Sequence, residues 1–314
     1  MIRLIISRVL STIPLLFIIS ILAYSMVHLM PGSIATIILD AGATPEAIAE
    51  LEAEMGLDQP FFMQYFDWLG NALQGDFGQS LFFSAPVIKL LGQSWSVTAS
   101  IVTGGMIIGI ALGLFLGIIA GLQPGSLLDR VSTVGASIGV ALPSFWLAMM
   151  LAIMLGVRWE IFPVVGYTRF AESPAGWLRS ITLASLAMGI PSAALIARQM
   201  RSSMANVLQS SYIRAQRAMG LGRWQIVARH ALKNAMIPVV TVIGFRLAVV
   251  VGQAFIVENV FFMPGLGKQL ATAVQQQDVI FVQGGVLMVA AFIVFANMFI
   301  DILYGFLNPK VRIS

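Results

Sequence analysis

Hydrophobic residues in this chain gather into long unbroken runs rather than alternating or heptad stripes. Six runs stand out, near Val9–Met30, Ser96–Leu122, Val131–Val157, Ser180–Ala197, Met236–Phe262 and Val282–Leu307. A hydrocarbon layer about 30 Å thick is crossed by roughly 20 apolar residues in helical form. A helix satisfies its own backbone polar groups in lipid, which an open strand cannot do. None of the six runs alternates as a strand would, so the pattern predicts an all-α polytopic membrane protein with six transmembrane helices. The first run follows Arg3 and Arg8, as a signal peptide would. It is too long for a typical signal core and lacks a clear small-residue cleavage site, so it reads as a retained helix.

The polar stretches between the runs are equally uneven. Residues 31–95 hold eight of the acids and a single Lys. There Thr44-Pro45-Glu46 reads as an N-cap, a first-turn proline and a first-turn acid, opening a helix through Met55 that Gly56 closes. From Pro60 to Leu73 an aromatic, amphipathic stretch suits a membrane interface. This helical outer loop is read as a cap on the bundle, with a substrate-entry or docking surface as the alternative. Residues 198–235 carry seven Lys and Arg and no acid. They divide into a helical Ser211–Met219, a Gly220-Leu221-Gly222 break and a second helical run from Arg223. Glycine there permits a left-handed turn between two short helices, predicting a basic helix–turn–helix lying against the membrane. On composition alone the favoured explanation is ordinary positive-inside retention with headgroup contacts. Two divisions follow: residues 1–95, the first helix with the acidic segment, and 96–314, a core of five helices.

Composition narrows the class. Only 10% of the 314 residues are charged and 58% are hydrophobic, with a mean hydropathy of +0.90. Soluble domains carry about 25% charge, so a soluble enzyme, a disordered chain and a nucleic-acid binder are excluded. The basic excess, 18 Lys and Arg against 14 Asp and Glu, has meaning only by position. With the N-terminus inside, twelve Lys and Arg fall on the cytoplasmic side, five fall outside, and Arg246 lies within a run. That asymmetry puts both termini in the cytoplasm. Cysteine is absent and the two histidines, His28 and His230, are far apart, so neither a disulfide frame nor a zinc site is expected.

Chemistry inside the runs is sparse. Gly105, Gly109, Gly113, Gly117 and Gly121 recur every four residues, making one smooth helix face for close backbone approach. Pro143 and Pro191 each remove a backbone hydrogen bond and allow a kink. Charged residues within lipid cost a few kcal/mol unless they face protein or water. Arg246 and Glu258 lie twelve residues apart, roughly 18 Å along a helix, too far for a direct ion pair in one straight helix. Asn297 and Asp301, four apart, share a face. These four residues are candidates either for a polar translocation pathway or for interhelix locks, the lock being favoured for Asn297 and Asp301. Pro264-Gly265-Leu266-Gly267-Lys268 imitates a phosphate loop, but Phe262 and Gln269 stand where Gly and Ser or Thr are required. Without that loop the chain has no ATP site of its own, and no catalytic constellation is present.

The run Tyr212-Ile213-Arg214-Ala215-Gln216-Arg217-Ala218-Met219-Gly220-Leu221, continuing to Arg229-His230-Ala231-Leu232-Lys233-Asn234-Ala235-Met236-Ile237-Pro238, resembles the cytoplasmic coupling loop of permease subunits in binding-protein-dependent ABC importers. It is similar in particular to the dipeptide/oligopeptide/nickel branch. Gly56-Leu57-Asp58-Gln59-Pro60, Gly75-Asp76-Phe77-Gly78, Val257-Glu258, Pro264-Gly265-Leu266-Gly267, Asp301-Ile302-Leu303-Tyr304 and Asn308-Pro309 carry the same resemblance. Two departures from the general importer pattern, Arg214-Ala215-Gln216 for Glu-Ala-Ala and Lys233 where many importers have proline, look like the peptide branch.

The resemblance implies a pathway shared with a second, homologous permease, two ATPases docked on the cytoplasmic loops, and an external binding protein that delivers cargo. ATP and Mg would reside on the ATPases. Within the coupling loop 198–235 and just beyond it, the Arg214–Pro238 segment would then be the coupling element, and Tyr212, Arg214, Ala215, Gln216, Ala218, Gly220, Leu221, Arg229, His230, Asn234 and Pro238 are the candidate residues of the ATPase-coupling loop. Short peptides are the expected cargo. Nickel or a nickel chelate is the alternative, followed by glutathione or an opine-like conjugate. Arg246 stands where relatives often have an uncharged residue, and a fixed cation there could favour an anionic group. The expected location is the cytoplasmic membrane of a bacterium or archaeon. From other classes, an ATP-independent channel or secondary carrier is the rival reading, ahead of a membrane enzyme.

Overall fold

The computed structural model describes residues 2–28, 33–39 and 43–307. Thirteen helices occur among the described residues: α1 Ile2–His28, α2 Ile34–Leu39, α3 Pro45–Glu54, α4 Phe61–Leu73, α5 Val87–Leu122, α6 Leu127–Ala141, α7 Ser144–Leu151, α8 Pro174–Leu208, α9 Ser211–Ala218, α10 Arg223–Ile226, α11 Leu232–Val260, α12 Leu266–Gln275 and α13 Val279–Leu307. Wider turns extend α7 to Arg158 and join α10 to α11 through Val227–Ala231. Among the described residues the only strand-like feature is one bridge between Gln79 and Pro86. The Asn308-Pro309 motif, Lys310 and Arg312 lie outside the described residues.

Among the described residues five stretches are long and apolar enough to cross a membrane, or six if the bent pair α6–α7 counts as one. The kink that Pro143 allows in the third run is a full break rather than a mild bend. The run is broken by 100° between Ala141 and Ser144. The cause is local: Leu142, before Pro143, is forced into extended backbone (φ −80°, ψ 120°), and Pro143 caps the next helix. Pro191 has no such effect, and α8 runs through it.

The chain forms two compact units, residues 1–9, 96–268 and 295–314 in one, 10–95 and 269–294 in the other. In the first, α8 is the most enclosed spanning helix, 78% of its apolar window being buried. The glycine face of α5 lies directly on it. A methyl group added to Gly109, Gly113, Gly117 or Gly121 would come within 2.8, 2.7, 2.6 and 2.7 Å of the Cβ atoms of Ser192, Ile196, Met200 and Met204. The partners also advance by four and in the same direction, so α5 and α8 run parallel. Two parallel helices joined through α6–α7 require the chain between them to return once, which agrees with taking that bent pair as one span. At one end of this unit, Ile196, Met200 and Met204 of α8 join Ile213, Ile226, Ala231 and Val239 in a continuous apolar core.

In the second unit α4 packs on α1. Tyr65 is fully buried, with its hydroxyl 2.7 Å from the Ser20 hydroxyl, and Tyr24 stacks edgewise on Phe61 and Tyr65. Helix α3 begins where its cap predicts, Thr44 Oγ1 accepting from the Ala47 N–H at 3.3 Å, and Gly56 closes it at φ +68°. Buried Asp278 accepts from the Ser80 hydroxyl and from the N–H groups of Phe82 and Phe281, both at 3.1 Å.

Candidate functional site

The basic loop folds as a rigid hairpin of two short helices. Gly220 adopts φ +80°, the left-handed turn expected of it. Gly222 does not share that role; it has ordinary backbone (φ −64°) and serves as the N-cap of α10. One face of the hairpin is sealed by Ile213, Ile226, Val227 and Ala231, all buried. The opposite face exposes Arg214, Ala215, Arg217, Ala218, Arg229 and two large apolar side chains, Met219 and Trp224, which are 71% and 75% exposed.

Side chains fasten this hairpin to the spans. Asn234 donates to the Tyr212 hydroxyl at 2.8 Å and to the His230 carbonyl at 3.1 Å, joining α9 to the start of α11. Arg217 and Arg223 each donate, at 3.5 Å, to a carbonyl ending a spanning helix, Leu208 of α8 and Leu122 of α5. Cations at helix C-termini answer both the free carbonyls and the helix dipole. Leu221 is half-buried, and the buried side-chain amide oxygen of Gln216 has no hydrogen-bond partner among the described residues. Pro238 lies six residues into α11 on an exposed face.

The four polar candidates within the spans separate completely. Glu258 is fully buried; its carboxylate accepts from the Thr98 hydroxyl at 2.5 Å and from the Lys268 N–H at 3.1 Å. Thr98 also accepts from the Leu266 N–H at 2.8 Å, and the Met263 N–H donates to the Glu258 carbonyl. The Pro264–Gly267 run is therefore the frame of a buried carboxylate set at the N-terminus of α12, where a negative charge is favoured. A Cβ on Gly265 would collide with that carboxylate. Asp301 pairs with Arg8 at 3.2 Å, whereas Asn297 is exposed, so sharing a face did not bring them into one cluster.

Arg246 is only 6% exposed, and one terminal nitrogen donates to the Ser192 hydroxyl at 3.1 Å. Its Nε is buried without a partner, and it has no ion-pair partner among the described residues. Sequence reasoning missed its hydroxyl partner, along with Thr98. It also missed the pair Asp129–Arg201, joined by two hydrogen bonds of 2.8 and 2.7 Å. Asp129 offered one signal, an acid three residues after the N-cap Ser126; Ser192 and Thr98 offered none.

Comparison with known proteins gives this architecture a family. The profile described as "Binding-protein-dependent transport system inner membrane component" matches residues 113–313, and the corresponding N-terminal profile matches residues 1–107. A protein of Brucella abortus (strain 2308), provisionally named a peptide transport system permease protein, is 36% identical over 312 residues, 99% of both chains. The dipeptide transport system permease protein DppB of Escherichia coli (strain K12) is 35% identical over 336 aligned positions, again 99% of both. Among solved structures, a chain of the methionine ABC transporter MetNI in inward-facing conformations superposes with a TM-score of 0.52 at 20% identity, covering 69% of this chain and 97% of that one. The last likeness is one of fold. The chain belongs to the family of inner-membrane components of binding-protein-dependent transport systems.

Proposed function

We propose that this chain is the permease subunit of an ATP-driven importer that carries dipeptides or short oligopeptides across a bacterial inner membrane. It forms half of the pathway with a second, homologous permease. An external binding protein hands over the cargo, and two ATPases hold the nucleotide and Mg. Support for the cargo comes from the relatives named for peptide or dipeptide transport. The excess of Lys and Arg in 198–235 supports an orientation with that loop and both termini in the cytoplasm. Residues 1–95 supply the first helix and the outer cap, and 96–314 the transport core.

The observation that carries the reading is the hairpin α9–α10. Its exposed face combines Arg214, Arg217 and Arg229 with Met219 and Trp224, while its buried face is continuous with the core of α8 and α11. Large exposed apolar side chains together with arginine suit a protein-docking surface. Nothing in this reading gives the chain catalysis of its own. Glu258 and Asp301 act as interhelix locks, because each is held within the chain, and Arg246 is the pathway candidate.

Gly220→Val tests the lever. A β-branched residue resists positive φ, so the angle between α9 and α10 must change. The reconstituted transporter should keep hydrolysing ATP while losing most of its dialanine uptake. Unchanged uptake would remove the lever role, and purification with no Walker-containing ATPase would remove the importer reading altogether.

A further inference from the structure

The second compact unit contains a cavity of about 490 Å³ that the coupling chemistry does not use. Its walls include Tyr24 of α1, Asp67 and Trp68 of α4, Glu54 at the end of α3, Asp76 from the following loop, and Gln283 from the first turns of α13. The volume lies in the range of small-molecule sites, roughly 300–1,000 Å³.

Charge defines what could enter. Among the described residues three acids, Glu54, Asp67 and Asp76, line the cavity and no Lys, Arg or His does. The segment that builds most of the cavity, residues 31–95, holds eight acids and a single Lys. Such a wall selects a cation. A metal ion is disfavoured by geometry: among the described residues no three His, Cys, Asp or Glu side chains converge to hold one. Aromatic rings line the cavity instead, Tyr24 and Trp68 lying 5.4 Å apart between centroids. An ammonium group can use both carboxylate oxygens and ring faces.

A second observation fixes the other end of the ligand. Gln283 is only 4% exposed, and its side-chain nitrogen is buried without a hydrogen-bond partner among the described residues. A buried donor left unmade costs about 1–3 kcal/mol. The neighbouring amide shows the contrast: Gln64 donates to the Leu57 and Gln59 carbonyls at 3.0 and 2.7 Å and accepts from the Tyr24 hydroxyl at 3.2 Å. Gln64 is consumed in shaping the wall, whereas Gln283 also lines the cavity and its donor has no partner among the described residues.

We propose that this cavity binds an α-aminoacyl group, a primary ammonium next to a carbonyl or carboxylate oxygen, as found at the amino end of a small peptide. The acids and rings hold the ammonium, and Gln283 donates to the oxygen. This rests on the peptide reading above and adds to it that the permease itself recognises the free amino terminus at its outer segment.

The full chain in lipid nanodiscs, probed by saturation-transfer NMR, tests the assignment with dialanine and N-acetyl-dialanine. Dialanine should bind saturably, and acetylation should weaken binding about tenfold or more, the loss expected from one charged hydrogen bond. The double variant Glu54→Gln with Asp67→Asn should lose a similar factor, and Gln283→Met a smaller one with an unchanged unfolding temperature. Glu46→Gln, on α3 but away from the wall, should bind as the parent does. Equal binding of the acetylated peptide, or full binding by the double variant, overturns the proposal. So does displacement of dialanine by NiCl2, which would make the cavity a metal site. Dialanine uptake by the intact transporter is measured alongside. Uptake with an unselective cavity removes this inference and leaves the import reading standing; selective binding without uptake does the reverse.

Discussion

Arg201 and Arg246 are both arginines on membrane-spanning helices of the same compact unit, and they are treated oppositely. Arg201 meets the buried carboxylate of Asp129 through two bonds of 2.8 and 2.7 Å, tying α8 to α6. Asp129 in turn accepts from the Gly125 N–H at 2.8 Å, so every strong valence in that cluster is used. Arg246 is more deeply enclosed, yet it meets a single hydroxyl, and its Nε has no partner. Arg201 lies in the basic stretch 198–235 near the end of α8, whereas Arg246 lies midway along α11, where a charge in lipid costs about 2.5–3.5 kcal/mol on insertion scales unless answered. The first arginine is answered inside the chain and holds it together. The second has no charged partner among the described residues.

The largest way to break this comparison is Asp129→Asn. It leaves Arg201 facing a neutral amide, and removing one member of a buried pair costs about 3–5 kcal/mol. Arg201 has a side chain 37% exposed, so water recovers part of the loss and about 3 kcal/mol is expected. Thermal unfolding in detergent should fall by several degrees, with less assembled transporter recovered. A parent-like unfolding temperature would mean that the pair is ornamental. Next is Gly113→Val, which drives two methyl groups into Ile196 and the Ala193 carbonyl. Overpacking of this kind costs about 1–3 kcal/mol, and it should separate α5 from α8 one turn from Ser192. If the glycine face matters only for packing, stability falls; if it also seats Ser192, Arg246-dependent transport falls with it.

What could be read from the chain, and what could not, follows the range of each interaction. The Thr44 cap, the Gly56 stop, the Gly220 turn and the glycine face of α5 are set by residues within a turn or two of one another, and each appears at its expected position. The partners of the buried charges are set by tertiary register. Thr98 and Glu258 are 160 residues apart, Arg201 and Asp129 72, Arg246 and Ser192 54. No periodicity carries that information. The Pro143 break shows the middle case: proline announced a distortion, while its size, 100°, depends on Leu142 being extended and on where the two halves pack. Asn297 and Asp301 share a face by their spacing, but which neighbour meets each is again set by register: Asp301 pairs with Arg8 of α1, whereas Asn297 is exposed.

The smallest expected change in stability belongs to Arg246→Gln, and it discriminates most sharply between the two arginines. Were Arg246 a lock like Arg201, its removal would leave a buried group stranded. Its only partner here is the Ser192 hydroxyl, which already donates to the Met188 carbonyl at 2.8 Å and so keeps a bond when the arginine leaves. The substitution therefore deletes one hydrogen bond and one uncompensated charge, two terms of opposite sign and similar size. Unfolding temperature and subunit recovery should remain within about 0.5 kcal/mol of the parent, the range of substitutions that break no packed or paired group. Transport should change instead, measured as the ratio of uptake for acidic against neutral dipeptides, with the acidic ones losing more. A drop in assembly with an unchanged ratio would make Arg246 a lock whose partner lies on the second permease.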